Sequence, residues 1–112
     1  MRPYRGEVWY ADLAPAVGHE QDGVRPVLVV SSDELTHVSP RLVVVVPITR
    51  TFRPHPTHVA VGPPEGGLRE PSYAVCNQVR TISTLRLDRR LGRVSDATME
   101  RVAEPLRFVL GL

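Results

Sequence analysis

The chain has 112 residues, enough for a single domain over 1–112 and too few for two separate cores. Hydrophobic residues make up 42% of it and charged residues 23%, a globular balance that excludes wholesale disorder, and no apolar run approaches the ~20 residues of a membrane-spanning helix. The net charge of +2 is mild, but all 14 basic residues are arginines, whose guanidinium groups make bidentate phosphate contacts and stack on bases.

The opening Met1-Arg2-Pro3-Tyr4-Arg5-Gly6 has no apolar stretch behind it, which argues against a signal peptide and for the cytoplasm. Glu7 to Leu13 is rich in strand formers and stops before Pro15. Ala14 to Arg25 is polar and broken by Pro15, Gly18 and Gly23, a long loop. Pro26 to Ser31 is a continuous apolar run, the pattern of a strand buried on both faces. Leu42 to Val46 with Ile48 reads the same way, and Pro47 is expected to mark a bulge or the strand end. A loop over Arg50 to Pro56 leads to an alternating fourth strand, Thr57 to Val61, and then to a turn region, Gly62 to Gly67.

Tyr73 to Cys76 and Val79 to Ile82 read as one strand interrupted by a bulge at Asn77-Gln78. Cys76 ends an apolar run and reads as a small buried hydrophobe; alone, it can form neither an intrachain disulfide nor a Cys-rich zinc site. From Arg80 to Arg93, five arginines face only Asp88, which fits either a solvated face or a nucleic-acid partner. Leu91 to Val94 is a short last strand. Ser95 then caps an amphipathic helix carrying Met99, Val102, Ala103, Leu106, Val109 and Leu110 on one side. Pro105 inside it removes a backbone donor at a cost of about 3 kcal/mol, so a kink or an early stop is expected. Short strands, Gly/Pro turns and one terminal helix predict a mainly β fold, a small curved antiparallel barrel.

Familiar catalytic signatures are missing: no G-x-S-x-G, phosphate-binding glycine loop or H-E-x-x-H occurs, and His19, His37, His55 and His58 have no metal-ligand spacing. No metal is therefore expected. Two stretches are informative instead, although read alone their Arg25 and Thr49 fit a solvated strand-end arginine and a strand-end threonine as well as catalytic groups. Val17 to Ser31 runs from a hydrogen-bonding loop into a buried strand with Arg25 at the junction, and Val46-Pro47-Ile48-Thr49-Arg50-Thr51 ends a second buried strand with hydroxyls and a guanidinium. Rigid strand ends are good places from which to project catalytic groups.

Five segments then fall in order: Arg5-Gly6-Glu7-Val8-Trp9; Gly18-His19-Glu20-Gln21 followed by Arg25-Pro26-Val27-Leu28-Val29-Val30-Ser31; Pro47-Ile48-Thr49; Asn77-Gln78-Val79-Arg80-Thr81-Ile82; and Leu91-Gly92-Arg93-Val94. With this order and spacing the chain resembles the MazF/PemK toxins along essentially its whole length. The resemblance implies an SH3-like barrel that forms homodimers. It implies cleavage of single-stranded RNA at short sequences without metal or other cofactor, leaving a 2′,3′-cyclic phosphate and a 5′-hydroxyl. It also implies a small cognate antitoxin that keeps the toxin inactive. The family's catalytic arginine falls on Arg25, its catalytic threonine on Thr49, and an acidic loop residue on Glu20.

These residue types suit the chemistry unequally. Arg25 can clamp the charge that develops on a phosphorane, and Thr49 can donate to a phosphoryl oxygen. A guanidinium holds its proton too tightly to be a good base, so that role passes to Glu20 or to His19, or the step proceeds with little help from a base. Arg50, Arg53, Arg80 and Arg86 are candidates for phosphate contacts, with Gln21 and Thr51 on the same rim. Phe52 is either a stacking platform or packed inside; Asn77 and Gln78 either read base edges or serve a bulge. A competing reading is a non-catalytic CcdB-type toxin that binds DNA gyrase on the same fold.

Overall fold

The computed structural model describes residues 2–112, and Met1 lies outside them. Seven strands and two helices follow in chain order: β1 (Glu7–Asp12), β2 (Val24–Val29), α1 (Asp33–Val38), β3 (Leu42–Thr49), β4 (His58–Val61), β5 (Ser72–Val75), β6 (Arg80–Ser83), β7 (Leu87–Arg93) and α2 (Asp96–Leu110). All strand pairs are antiparallel, in the order β4-β5-β3-β2-β1-β7, with β6 paired to β3. The mainly β class with a C-terminal helix is as read from the sequence. Strands β4, β6 and β7 each pair on one side only, so among the described residues the sheet curves without closing by hydrogen bonds into the expected barrel.

The two apolar runs are buried on both faces, and each feeds two cores alternately. Val27, Val29, Val43 and Val45 pack with Trp9, Leu13, Ile82 and Leu87. Leu28, Val30, Val46 and Ile48 pack with Val8, Val59, Val61, Met99 and Val102 beneath α2. Two stacked layers of this kind place β2 and β3 at the centre of the molecule, with their ends held by the packing on either side.

β3 does not stop at Pro47. The Val30 amide donates to the Val44 carbonyl at 3.0 Å, and Val27 pairs with Pro47. Even-numbered residues of β3 therefore exchange hydrogen bonds with β2, and Pro47 turns its missing donor to the opposite edge. On that edge β3 changes partner, from β6 (last pair Val45–Arg80) to β5 (first pair Ile48–Ala74). No ladder bond is required of Pro47 there. The interruption at Asn77-Gln78 is a 3-10 turn over Cys76–Gln78, and not a simple bulge. It inserts three residues between the two registers, since paired numbers sum to 122 for β5 and 125 for β6.

Ser95 caps α2 by accepting from the Thr98 amide at 3.2 Å. Pro105 does not end this helix, which continues to Leu110. The ring is buried, and that apolar burial offsets the lost donor. Cys76 is wholly buried, and burial pushes its thiol up to about 12, which fits an inert core side chain. The short α1, capped by Ser32 on the Leu35 amide at 3.1 Å, has no counterpart in the sequence reading. Six residues are too few to show a helical period.

Candidate active-site cleft

Antiparallel pairing brings the start of β2 beside the end of β3. Extending the Val27–Pro47 register by two residues sets Arg25 opposite Thr49. A cleft of about 680 Å³ opens over these strand ends. Because it caps the ends, it takes consecutive residues from each strand, Val24-Arg25-Pro26 and Ile48-Thr49-Arg50. The other walls are Tyr10 on β1, the segment Gly67 to Glu70 with Ser72, and Arg89 to Leu91 on β7.

Arg25 is half-buried, and its Nε donates to the Asp22 carbonyl at 2.9 Å, which fixes the stem and leaves the two terminal nitrogens for a ligand. Thr49 is also half-buried, with Oγ1 accepting from the Thr51 amide at 3.2 Å, so its hydroxyl proton is available to donate. The cleft holds five arginines, Arg25, Arg50, Arg69, Arg89 and Arg90, against one carboxylate, Glu70. Arg90 is already paired with the buried Glu7 at 2.7 Å; Glu7 also accepts from the Trp9 indole at 3.1 Å. The remaining cations give the cleft a strongly positive field, suited to a polyanion.

A family model described as "PemK-like, MazF-like toxin of type II toxin-antitoxin system" matches residues 4–110. The chain belongs to this family. It is 38% identical to the endoribonuclease EndoA of Bacillus subtilis over 109 residues, covering 96% of this chain and 94% of that one. It is likewise 38% identical over 113 residues to the endoribonuclease MazF9 of Mycobacterium tuberculosis, covering 96% of each. A solved structure of a mycobacterial endoribonuclease in complex with its cognate antitoxin superposes with a TM-score of 0.80 at 34% identity, covering 98% of this chain and 96% of that one.

Within this toxin fold the residues singled out in the sequence part into three groups. Arg25, Thr49 and Arg50 line the cleft together. Phe52 is 66% exposed and not packed inside; it meets the Tyr73 ring edge to face at 5.6 Å between centroids. Thr51, Arg53 and Asn77 are exposed, and none of them lines the cleft.

The third group holds the loop between β1 and β2. Gln78 accepts from the Gln21 amide at 2.6 Å and donates to the His19 carbonyl at 3.1 Å, so its amide is used within the protein. Arg80 donates to the Leu13 carbonyl at 3.5 Å, and Arg86 to the carbonyls of Asp12 and Ala14 at 3.0 and 2.7 Å. Glu20 accepts from the Val17 amide at 2.6 Å and caps its own turn. Neither Glu20 nor His19 lines the cleft.

Tyr10, Arg69, Glu70 and Arg89 belong to the cleft and escaped the sequence reading. They sit on three separate chain segments, and only the basic run Arg80 to Arg93 pointed at one of them. Two glycines bring the Arg69 segment in. Gly67 has φ +69°, and a Cβ there would overlap the Leu91 carbonyl oxygen; one on Gly92 would lie 2.6 Å from the Gly67 nitrogen. The two backbones touch because neither residue has a side chain. His55 and His58 stack with ring centroids 5.2 Å apart, away from the cleft. Burial, then the neighbouring His55 and Arg53, holds His58 below its ordinary value of 6.5. Among the described residues no group of three or more His, Cys, Asp or Glu side chains is gathered as a metal site.

Proposed function

We propose that the chain is a ribosome-independent endoribonuclease toxin that cuts single-stranded RNA with Arg25 and Thr49 at its reacting centre. The observation that carries the reading is the meeting of these two side chains in one positive cleft, delivered by adjoining strand ends. The nucleophile is the substrate's own 2′-hydroxyl. Its oxygen attacks the neighbouring phosphorus and gives up its proton to solvent, the bond to the 5′-oxygen of the next nucleotide breaks, and that oxygen takes up a proton from solvent, leaving a 2′,3′-cyclic phosphate and a 5′-hydroxyl. Arg25, anchored through Nε, presents its terminal N–H groups to the non-bridging oxygens as their charge grows. Thr49 donates one further hydrogen bond to the same oxygens. No step needs a metal ion or other cofactor. His19 and Glu20 shape the loop beside the cleft, and Gln78, Arg80 and Arg86 act as positioning residues that hold it.

In this reading the protein works in the cytoplasm, where its RNA is, and a cognate antitoxin keeps it silent. It pairs with a second copy, helped by the apolar end of α2, where Phe108, Leu110 and Leu112 are exposed. No helix among the described residues is long and apolar enough to cross a membrane. The gyrase-binding alternative has less support, because relatives matching nearly the whole chain are named endoribonucleases.

The test is cleavage of long single-stranded RNA in excess chelator. Wild type should cut and leave cyclic phosphate ends. Arg25→Ala should lose about 10²- to 10³-fold in kcat, the usual effect of removing a transition-state donor. Thr49→Val should lose about tenfold, worth ~1.4 kcal/mol. Cutting by Arg25→Ala at the wild-type rate would refute the assignment.

A further inference from the structure

We propose that Arg69 and Arg89, with Tyr10 beneath Arg89, form a track that grips the phosphates flanking the scissile one; this rests on the ribonuclease reading above. Three observations point there. First, the cleft's guanidiniums are not equivalent. Arg90 is neutralised by Glu7 and Arg25 is tied through Nε, whereas Arg69 and Arg89 are exposed and stand outside the ion pairs found among the described residues. Cations left without an acidic partner in a concave surface are poised for an anionic ligand.

Second, the backbone of β7 re-aims Arg89. Trp9 pairs with Arg90 and Ala11 with Leu87, so two steps on β1 oppose three on β7. The extra residue is a bulge, the device that turns a side chain out of its regular alternation. It lets Arg89 and Arg90 both border the cleft, and it sets the Arg89 guanidinium over the Tyr10 ring at 5.0 Å from the centroid. An aromatic face holds a guanidinium flat and leaves its edge N–H groups for phosphate.

Third, Arg69 borders the cleft from the neighbouring segment, which packs against β7. The Gly67 contact with β7 fixes that segment in place. These two guanidiniums, like the exposed Arg50 at the end of β3, therefore border the same cleft as the reacting pair. A single RNA strand carries one charge per nucleotide, so a strand with one phosphate at Arg25 offers its neighbours to cations along the cleft. An acidic protein segment would match the charge but makes no use of Thr49 and Arg25 as a reacting pair, so the nucleic-acid strand is the occupant argued for.

The experiment compares three proteins: wild type, Arg69→Ala/Arg89→Ala, and a control with the same charge change far from the cleft, Arg41→Ala/Arg107→Ala. Binding of a mixed-sequence single strand lacking 2′-hydroxyls, which cannot be cut, is measured from about 50 to 200 mM salt. The cleft variant should bind more weakly, and its log–log salt slope should be shallower by about 1.4, from two contacts of ~0.7 each. The control should keep the wild-type slope. On cleavable RNA the cleft variant should raise KM while kcat stays within a few-fold. Equal slopes for wild type and the cleft variant would overturn the track. So would competition by polyglutamate that only the cleft variant loses, with the strand's slope unmoved, which would indicate an acidic protein partner. A wild type that binds the strand through these arginines yet cuts no RNA would sink the nuclease reading and leave the track standing.

Discussion

The segment over 62–71 walls the cleft, while the loop over 13–23 runs into it at Val24 and holds Arg25 through the Asp22 carbonyl, and the two are held by opposite means. The loop is tied by long polar side chains. Gln78, Arg80 and Arg86 reach out from and around β6 to its backbone groups, and most of its own residues are exposed. The segment is locked by packing, with Gly66 and Gly67 pressed on β1 and β7. Glu65 accepts from the Ser95 amide at 2.6 Å and from the Thr98 hydroxyl at 2.9 Å, tying the segment to the start of α2. Hydrogen bonds between exposed groups can open one at a time, whereas two backbones in contact move only together. The cleft thus has one packed wall and, beside it, a loop that hydrogen bonds hold against the start of β2.

The largest effect should come from breaking the fixed wall. In Gly67→Ala the new Cβ meets the Leu91 carbonyl, and the left-handed backbone conformation is strained as well. A loss of about 3 kcal/mol is expected, seen as a fall in melting temperature of about 10 °C. A melting temperature within about 2 °C of wild type would mean the wall yields easily, and the contrast with the loop would fail.

Glu65→Gln should cost about 1–2 kcal/mol near neutral pH, because the charged acceptor is lost from the Ser95 and Thr98 bonds. Those bonds, the Ser95 amide first, hold the Glu65 carboxyl below its ordinary value of 4.5. The stabilisation is therefore complete above pH 4.5 and is lost as the pH falls through the lowered value of the folded state. Melting curves of wild type and variant from pH 7 down to pH 3 should converge; a constant gap would rule this linkage out.

Gln78→Ala should be the mildest for the fold and the most local. Less than about 1 kcal/mol of stability should be lost. Amide exchange over residues 14–23 should rise and RNA cleavage should fall several-fold, because the loop no longer holds its place. A melting temperature drop as large as that of Gly67→Ala would show that the loop is part of the packed structure and not a tethered one.

How much of this could be seen beforehand depended on whether a residue's task is local. The continuous runs over 26–31 and 42–48 announced strands buried on two faces, because apolar residues on both sides of a strand leave no polar position. Ser95 announced the start of α2 because capping involves only the next three residues. Arg25 and Thr49 stood out as polar groups at the ends of those runs. Pro47 and Pro105 were misjudged for one reason: each lacks a donor that the tertiary structure never asks of it at that edge, or whose loss burial offsets. Gln78 left two readings open in the sequence, base reader or structural residue, and only the fold brings in the partners 57 and 59 residues away that its amide engages.

The amino-acid order alone determined the strands, the terminal helix, the family and the two residues at the centre of the cleft, since each is written in neighbouring positions or in a fixed series of short motifs. Only the folded chain decided that Arg69, Arg89 and Tyr10 share that cleft while Arg80 and Arg86 bind carbonyls at the start of the distant β1–β2 loop. Fourteen arginines are chemically alike. What separates a free guanidinium from a spent one is which acceptor the sheet register, a bulge in β7 and a pair of touching glycines bring within reach.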